Sequence, residues 1–140
     1  MRPAPRLAGV LVLLALAVAT VPALATHVPD HRFIVLGLVT DEAGRPLASV
    51  PVVVTRLKTG LAHRTRTEAD GLYVVVVHIH DDDEGERLSV SASGASGEVV
   101  TRFDVHDRRT ERGTRVDVRG GAVVEDRRAF AEMLRAYLAR

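Results

Sequence analysis

The sequence predicts an all-β fold, a Greek-key sandwich of seven short strands, followed by a short amphipathic helix. Valine, threonine and alternating apolar residues dominate residues 31–119, and glycine, proline and aspartate interrupt them at regular intervals. This combination is typical of short strands joined by tight turns. The predicted strands cover residues 31–40, 48–57, 61–67, 72–80, 86–93, 98–105 and 114–119.

The faces of the predicted strands differ along the chain. In strand five, residues 86–93, leucine, valine and alanine alternate with serine, and strands six and seven alternate in a similar way. Such strands have one buried and one solvated face. Strands one, two and four instead carry apolar side chains on both faces. We therefore expect a second layer to cover the outer face of these three strands.

The chain offers one segment for that layer, a helix predicted over residues 124–140. Its apolar side chains recur at helical spacing and form one stripe. The stripe consists of Phe130, Met133, Leu134, Tyr137 and Leu138. Asp126 is predicted as its N-cap or first-turn acid. An isolated helix of this length is marginal in water, so we expect it to dock on strands one, two and four. The alternatives are a homodimer through that face, or a helix that binds a membrane or a partner.

The first 25 residues have the three-part pattern of a secretory signal peptide. Arg2 and Arg6 precede an apolar run over residues 7–20, and Ala23-Leu24-Ala25 forms a small-x-small cleavage pattern. The alternative is an uncleaved membrane anchor, since the run is close to the minimum length for a span. No cysteine lies near the cleavage pattern, which argues against a lipid anchor. We expect a periplasmic or secreted protein without a membrane span after cleavage.

The predicted organisation is a signal peptide over residues 1–25, a sandwich over 26–121 and a C-terminal helix over 122–140. Without Arg2 and Arg6 the 19 basic residues fall to 17, against 18 acidic residues, so the net charge becomes −1. A nucleic-acid interface needs a concentrated positive field, so this balance argues against one. The chain has no cysteine, and an exported domain without disulfides depends on packing.

Two motifs carry a family resemblance. The first runs over residues 37–52 and includes Gly37, Asp41, Gly44 and Pro46. The second runs over residues 65–73, in which Asp70-Gly71 predicts a hairpin turn and Tyr73 is expected to begin a buried central strand. Together they resemble the carboxypeptidase-regulatory-like domains, a transthyretin-like family. The resemblance implies a seven-stranded sandwich that accompanies enzymes, receptors or surface proteins.

Transthyretin-like proteins include the hydroxyisourate hydrolases, so the resemblance raises a hydrolase hypothesis. Those enzymes place a histidine in the first strand, where this chain has Gly37-Leu38-Val39, and end in Tyr-Arg-Gly-Ser, where this chain ends in residues 137–140, Tyr-Leu-Ala-Arg. No cysteine nucleophile is present, and the serines of strand five fall on its predicted solvated face. We therefore predict that the protein is not an enzyme.

A second hypothesis is a metal site at the end of strand four. In a strand, His78 and His80 project from one face about 6.6 Å apart at Cα, and Asp82 follows in the acidic loop. Two imidazoles and a carboxylate bind Cu²⁺ or Zn²⁺. A further ligand would come from His27, His31 or His106. The alternative is a solvated strand end with an acidic loop that resists aggregation.

The sequence as a whole favours an exported, non-catalytic module for protein interaction or structural support, without a cofactor. The expected partner is another protein or a second copy. A periplasmic metal-binding or metal-delivery protein that uses His78 and His80 is the first alternative, and a transthyretin-like hydrolase is the second.

Overall fold

Eight strands form two four-stranded sheets in the computed structural model, which describes residues 32–140. The predicted signal peptide lies outside the described residues. The strands are β1 (Arg32–Thr40), β2 (Pro51–Arg56), β3 (Ala62–Arg66), β4 (Leu72–His78), β5 (Arg87–Ala92), β6 (Ala95–Val100), β7 (Arg112–Arg119) and β8 (Ala122–Asp126). One helix, α1 (Phe130–Leu138), follows them, and a short 3₁₀ turn covers Asp81–Asp83.

The two sheets differ in their strand pairing. Sheet A has the order β4-β1-β7-β8, and β1 and β7 at its centre run parallel, with Phe33 opposite Arg112. Sheet B has the order β3-β2-β5-β6, and all its pairs are antiparallel. A parallel pair needs a long crossover connection; here all of sheet B, together with β4, lies between β1 and β7 in the chain.

The main core lies between the sheets and is mostly aliphatic. Because side chains alternate across a strand, every second residue of β1, β2, β4, β5 and β7 points into this layer. The largest fully buried side chains are Tyr73, Phe33, Leu36, Ile79, Leu88, Val35, Val39, Val52, Val54, Val77, Val90 and Val116. All but Leu36 belong to this core. The inner faces of both sheets are therefore fully covered.

A smaller apolar cluster lies on the outer face of sheet A, where α1 docks. Phe130 and Leu134 of the helix pack with Ile34 and Leu36 of β1, while Met133 and Tyr137 are half-buried beside them. Gly113 of β7 makes room for this contact, since a Cβ there would lie 2.4 Å from the Phe130 ring. The helix therefore packs on its own chain, as the apolar stripe predicts. Within residues 32–140 no helix is long and apolar enough to span a membrane.

The predicted boundaries of the helix and of strand six were wrong. Residues 122–126 form an eighth strand paired with β7, so α1 begins at Phe130. Asp126 ends that strand and is not the N-cap, although its Oδ1 accepts a hydrogen bond of 3.2 Å from the Ala129 backbone nitrogen. Strand six begins at Ala95 and ends at Val100. The alternation over residues 101–105 belongs instead to a loop whose Phe103 packs on Phe33.

Three expectations about the second and fourth strands also need correction. The Asp70-Gly71 turn joins sheet B to sheet A and does not close a hairpin, because β4 pairs with β1 and not with β3. Tyr73 is buried, but β4 is an edge strand. Strand β2 lies in sheet B, so α1 does not cover it. Its outward Val53 is half-buried between neighbouring strands.

Candidate functional site

A buried network of charged side chains lies at the end of the sandwich where β2, β4 and β5 meet a turn over residues 81–86. Arg56, the last residue of β2, is 8% exposed and points inward. Its Nε and Nη2 donate to the carboxylate of Glu86 at 3.0 Å and 2.6 Å, and its Nη1 donates to the carbonyl oxygen of His78 at 3.1 Å. Arg56 thereby joins β2, β4 and the residue before β5.

Asp83 is the second centre of this network and is 4% exposed. Its carboxylate accepts hydrogen bonds from Lys58 Nζ at 2.8 Å and from the backbone nitrogen of His80 at 2.7 Å, and it lies 3.0 Å from Arg56 Nη2. Burial opposes ionisation, but the hydrogen bonds from Lys58 and His80 and the charge of Arg56 hold the pKa of Asp83 below its ordinary value. Asp83 is therefore ionised and fixes the 81–86 turn.

The three residues of the predicted metal site lie at this same end. His78 ends β4, His80 precedes the 3₁₀ turn, and Asp82 is in that turn. All three are exposed. Between them, Ile79 is buried in the core. Across residues 32–140 no group of three or more histidine, aspartate or glutamate side chains is arranged to hold a metal ion. The metal site stays a prediction.

His63, on the edge strand β3, lies close to the same end. Its Nε2 is buried and has no hydrogen-bond partner among the described residues. Burial, followed by the charges of His78 and Arg56, lowers the pKa of His63 below its ordinary value. His63 is therefore neutral at physiological pH.

An open cleft of about 340 Å³ lies between the β2–β3 turn and the 81–86 turn. Its walls combine one exposed apolar side chain with several charged ones. They are formed by Leu57, Lys58, Asp82, Asp83, Glu84, Gly85, Glu86 and Arg87. We call it the acidic cleft. Its floor consists of the buried Asp83 and Glu86, which bind Arg56 and Lys58.

The loop over residues 101–111 supports the turn from the other side. The guanidinium of Arg112 lies 4.2 Å from the centroid of the Phe103 ring and 3.2 Å from Asp81 Oδ1. Thr101 Oγ1 donates to the carbonyl oxygen of Asp83 at 2.6 Å. Hydrogen bonds from Thr110 and from the Arg109 backbone lower the pKa of Asp107 to about 2. Four charged side chains of this loop thus have defined partners: Asp104, Asp107, Arg108 and Glu111.

A separate polar cluster fills a gap in the parallel ladder between β1 and β7. A Cβ on Gly37 would lie 1.8 Å from the Val116 carbonyl oxygen. That oxygen accepts a hydrogen bond of 2.7 Å from Tyr73 Oη, and Asp117 Oδ1 accepts one of 3.0 Å from the Leu38 nitrogen. Burial raises the pKa of the Tyr73 hydroxyl above its ordinary range. The motif residues Gly37 and Tyr73 therefore have a structural role.

Sequence reasoning missed the Arg56–Asp83–Glu86 network. One signal was available, because the inward alternation of Val52 and Val54 continues to Arg56, and an arginine on an inward face needs a buried acid. The partner could not be identified from the sequence, since Glu86 is 30 residues away. The acidic loop is accordingly only half solvated: Asp81 and Asp83 have ion pairs, whereas Asp82 and Glu84 are exposed.

Three solved structures match about two thirds of this chain at low sequence identity. The 5-hydroxyisourate hydrolase of Klebsiella pneumoniae is 15% identical, with a TM-score of 0.46, and the match covers 68% of this chain and 97% of that one. A dioxygenase domain from Streptomyces sp. SirexAA-E is 15% identical, with a TM-score of 0.45 and coverages of 67% and 82%. Catechol 1,2-dioxygenase from Acinetobacter sp. ADP1 is 13% identical, with a TM-score of 0.41 and coverages of 66% and 45%.

No curated protein matches the chain. A family model does match it, over residues 34–119, from the third residue of β1 to the end of β7. The match contains both sequence motifs, the acidic cleft and the cluster around Tyr73, and it ends before β8 and α1. The chain belongs to the carboxypeptidase regulatory-like domain family.

Proposed function

We propose that the protein is an exported, non-catalytic β-sandwich module that binds another protein in the periplasm or cell envelope. The observation that carries the proposal is the acidic cleft, where the exposed Leu57 and two exposed carboxylates, Asp82 and Glu84, lie over a buried ion-pair network. A network of this kind fixes the surface above it, and a fixed surface loses little entropy on binding.

The buried ionisable side chains support a structural rather than a catalytic assignment. Asp83 and Glu86 bind Arg56, Asp117 binds Arg115 and Arg119, and each of these contacts joins two or more elements or fixes a strand. Catalytic acids and bases are usually poised near neutral pH, whereas the pKa values of Asp83 and Asp117 are lowered. Turnover of 5-hydroxyisourate by the purified protein would contradict this assignment.

Position-specific photo-crosslinking in intact expressing cells tests the interaction. A photoreactive amino acid replaces Glu84 in the cleft or, as the control, Ser96 on the outer face of sheet B; both positions are exposed. We expect a defined adduct from position 84 and none from position 96. No adduct from position 84, or the same adducts from both positions, would contradict the proposal.

Export has its own measurement. The N-terminal residue of the protein recovered from the envelope or the medium is expected to be Thr26, the first residue after the small-x-small pattern. An intact N-terminus in the membrane fraction would instead support the uncleaved anchor.

Metal binding is the second candidate function, because His78, His80 and Asp82 are all exposed at one end of the sandwich. Titration of the purified protein with Cu²⁺ and with Zn²⁺ tests it, and we compare His78→Ala and His80→Ala with Glu42→Gln, an exposed acid after the opposite end of β1. Metal uptake that only the first two changes abolish would support this function. No uptake by the unchanged protein would exclude it.

A further inference from the structure

The β2–β3 turn carries two leucine side chains that are exposed to solvent. Leu57, directly after β2, is 41% exposed, and Leu61, directly before β3, is 52% exposed. The backbone of the turn is fixed by hydrogen bonds from Arg56 to Leu61 at 2.9 Å, from Gly60 to Arg56 at 2.7 Å and from Leu57 to Arg87 at 3.1 Å. The turn therefore presents apolar side chains on a backbone fixed by hydrogen bonds, and a preorganised surface loses less entropy when it binds.

The charged side chains beside Leu57 leave an excess of negative charge at the opening of the acidic cleft. Lys58 binds the buried Asp83, and Arg87 binds Glu98 at 3.1 Å. By contrast, Asp82 and Glu84 are exposed, and their carboxylates make no ion pair or hydrogen bond with any residue of the described part of the chain. The two basic side chains of the cleft are thus engaged with other acids, and its opening presents negative charge beside apolar surface.

We infer that the acidic cleft binds a segment of a partner protein in which a large apolar side chain stands next to lysine or arginine. This inference rests on the proposed function and names the partner's chemistry. The apolar side chain would pack on Leu57, and the cation would lie opposite Asp82 and Glu84, where opposite charges raise the association rate and select the partner. A cleft of about 340 Å³ is near the lower limit for ligand sites, ~300 Å³, and it suits one or two side chains.

Nuclear magnetic resonance titration tests the inference with defined peptides. The ¹⁵N-labelled exported chain is mixed with a peptide of alternating leucine and lysine, and with matched leucine–glutamate and serine–lysine peptides. We expect saturable amide shifts around Leu57–Leu61 and residues 82–85 with the leucine–lysine peptide only, and a weaker response as salt rises. Equal shifts with the leucine–glutamate peptide, or shifts centred elsewhere, would overturn the inference. Shifts of the cleft on concentration without peptide would identify a second copy as the occupant and would also overturn it.

Substitutions locate the contact. We expect Asp82→Asn with Glu84→Gln to weaken peptide binding about threefold to tenfold, the effect of losing two exposed charge pairs, and Leu57→Ser to weaken it by a similar factor. Glu42→Gln and Leu138→Ser, which change an exposed acid and an exposed leucine away from the cleft, should leave it unchanged. Equal losses in these controls would overturn the inference. A crosslink at position 84 without peptide binding would leave the module function intact and reject only the partner's chemistry.

Discussion

The outer faces of sheet A and sheet B carry different side chains, and only one of them is covered. On sheet A, Ile34 and Leu36 are buried beneath α1. On sheet B, the outward residues of β5 include Ser89 and Ser91, which are partly exposed, and Glu98 of β6 binds Arg87 in the open. A sheet face is apolar where another element lies over it and polar where water does.

The acidic side chains on the two outer faces also differ in solvent exposure. Asp117, on the outer face of sheet A, is 3% exposed and binds Arg115 at 2.9 Å and Arg119 at 2.7 Å. Glu98 on sheet B forms its ion pair with both side chains at least half exposed. Buried charges matter for stability when a partner is removed, whereas exposed pairs contribute little. Substitutions on the outer face of sheet A should therefore lower the free energy of unfolding much more than substitutions on the outer face of sheet B.

The largest effect is expected at the helix contact. Leu134→Ala removes a side chain that is 7% exposed and should lower the free energy of unfolding by about 2–5 kcal/mol. Leu138→Ala changes the same residue type one turn later, where it is 70% exposed, and should cost less than about 0.5 kcal/mol. Urea unfolding measures both changes. Equal costs would show that α1 does not dock in solution.

Asp117→Asn should have the next largest effect and lower the free energy of unfolding by about 1–3 kcal/mol, because Arg115, Arg119 and the Leu38 nitrogen lose their buried charged acceptor. Burial opposes ionisation of Asp117, but Arg115, Arg119 and the Leu38 nitrogen lower its pKa below the ordinary value. Its contribution is therefore complete above the ordinary carboxyl pKa of about 3.9 and is lost as pH falls through the lowered folded pKa.

Unfolding measurements between neutral and acidic pH check this assignment. The unchanged protein should lose more stability on acidification than Asp117→Asn, since the variant has no carboxylate to protonate at this position. Glu98→Gln on sheet B is the control, and because its ion pair is exposed it should change the free energy of unfolding little. Parallel pH profiles for the unchanged protein and Asp117→Asn would contradict the assigned role.

On the open face, Ser91→Thr should change the free energy of unfolding by no more than about 0.5 kcal/mol. The hydroxyl is kept, and β-branched residues suit a strand. Thermal unfolding is a sufficient measurement. A large loss would indicate that a further element covers sheet B in solution.

The smallest expected effect is at the C-terminal end of α1, where Arg140 binds Glu68 and Asp70 of the turn before β4. These groups are exposed, so salt screens their attraction. Arg140→Ala should lower the melting temperature slightly at low ionic strength and not at high ionic strength. A difference that persists in molar salt would mean that packing, not charge, holds this end of the helix.

Several elements could be predicted because alternation reports which side chains point inward. The predicted ranges of the first five strands and of β7 contain the observed strands, apart from two residues at the start of β7. Strand β8 was missed although Gly120-Gly121, with φ of 52° and 84°, is a typical two-residue hairpin sequence. The apolar stripe of the helix obscured that signal.

The sequence predicted where the candidate site lies but not which of its acidic side chains are buried. The cluster of histidines and acids marked the end of β4, and the structure has His78, His80 and Asp82 there, all exposed. What could not be predicted is which acids are buried. Asp82 and Asp83 are adjacent and identical in type, and the neighbouring Arg56 and Lys58 lie about 25 residues earlier in the chain.

The sequence by itself determined the alternation of each strand, the positions of most turns and the apolar stripe of α1, because these depend on neighbouring residues and on the period of the backbone. The tertiary structure alone decided that β4 pairs with β1, that β1 lies parallel to β7, and that Arg56 contacts Asp83 and Glu86. Any two strands present the same backbone hydrogen-bonding groups, so which strands pair with each other depends on how the side chains of the whole core pack.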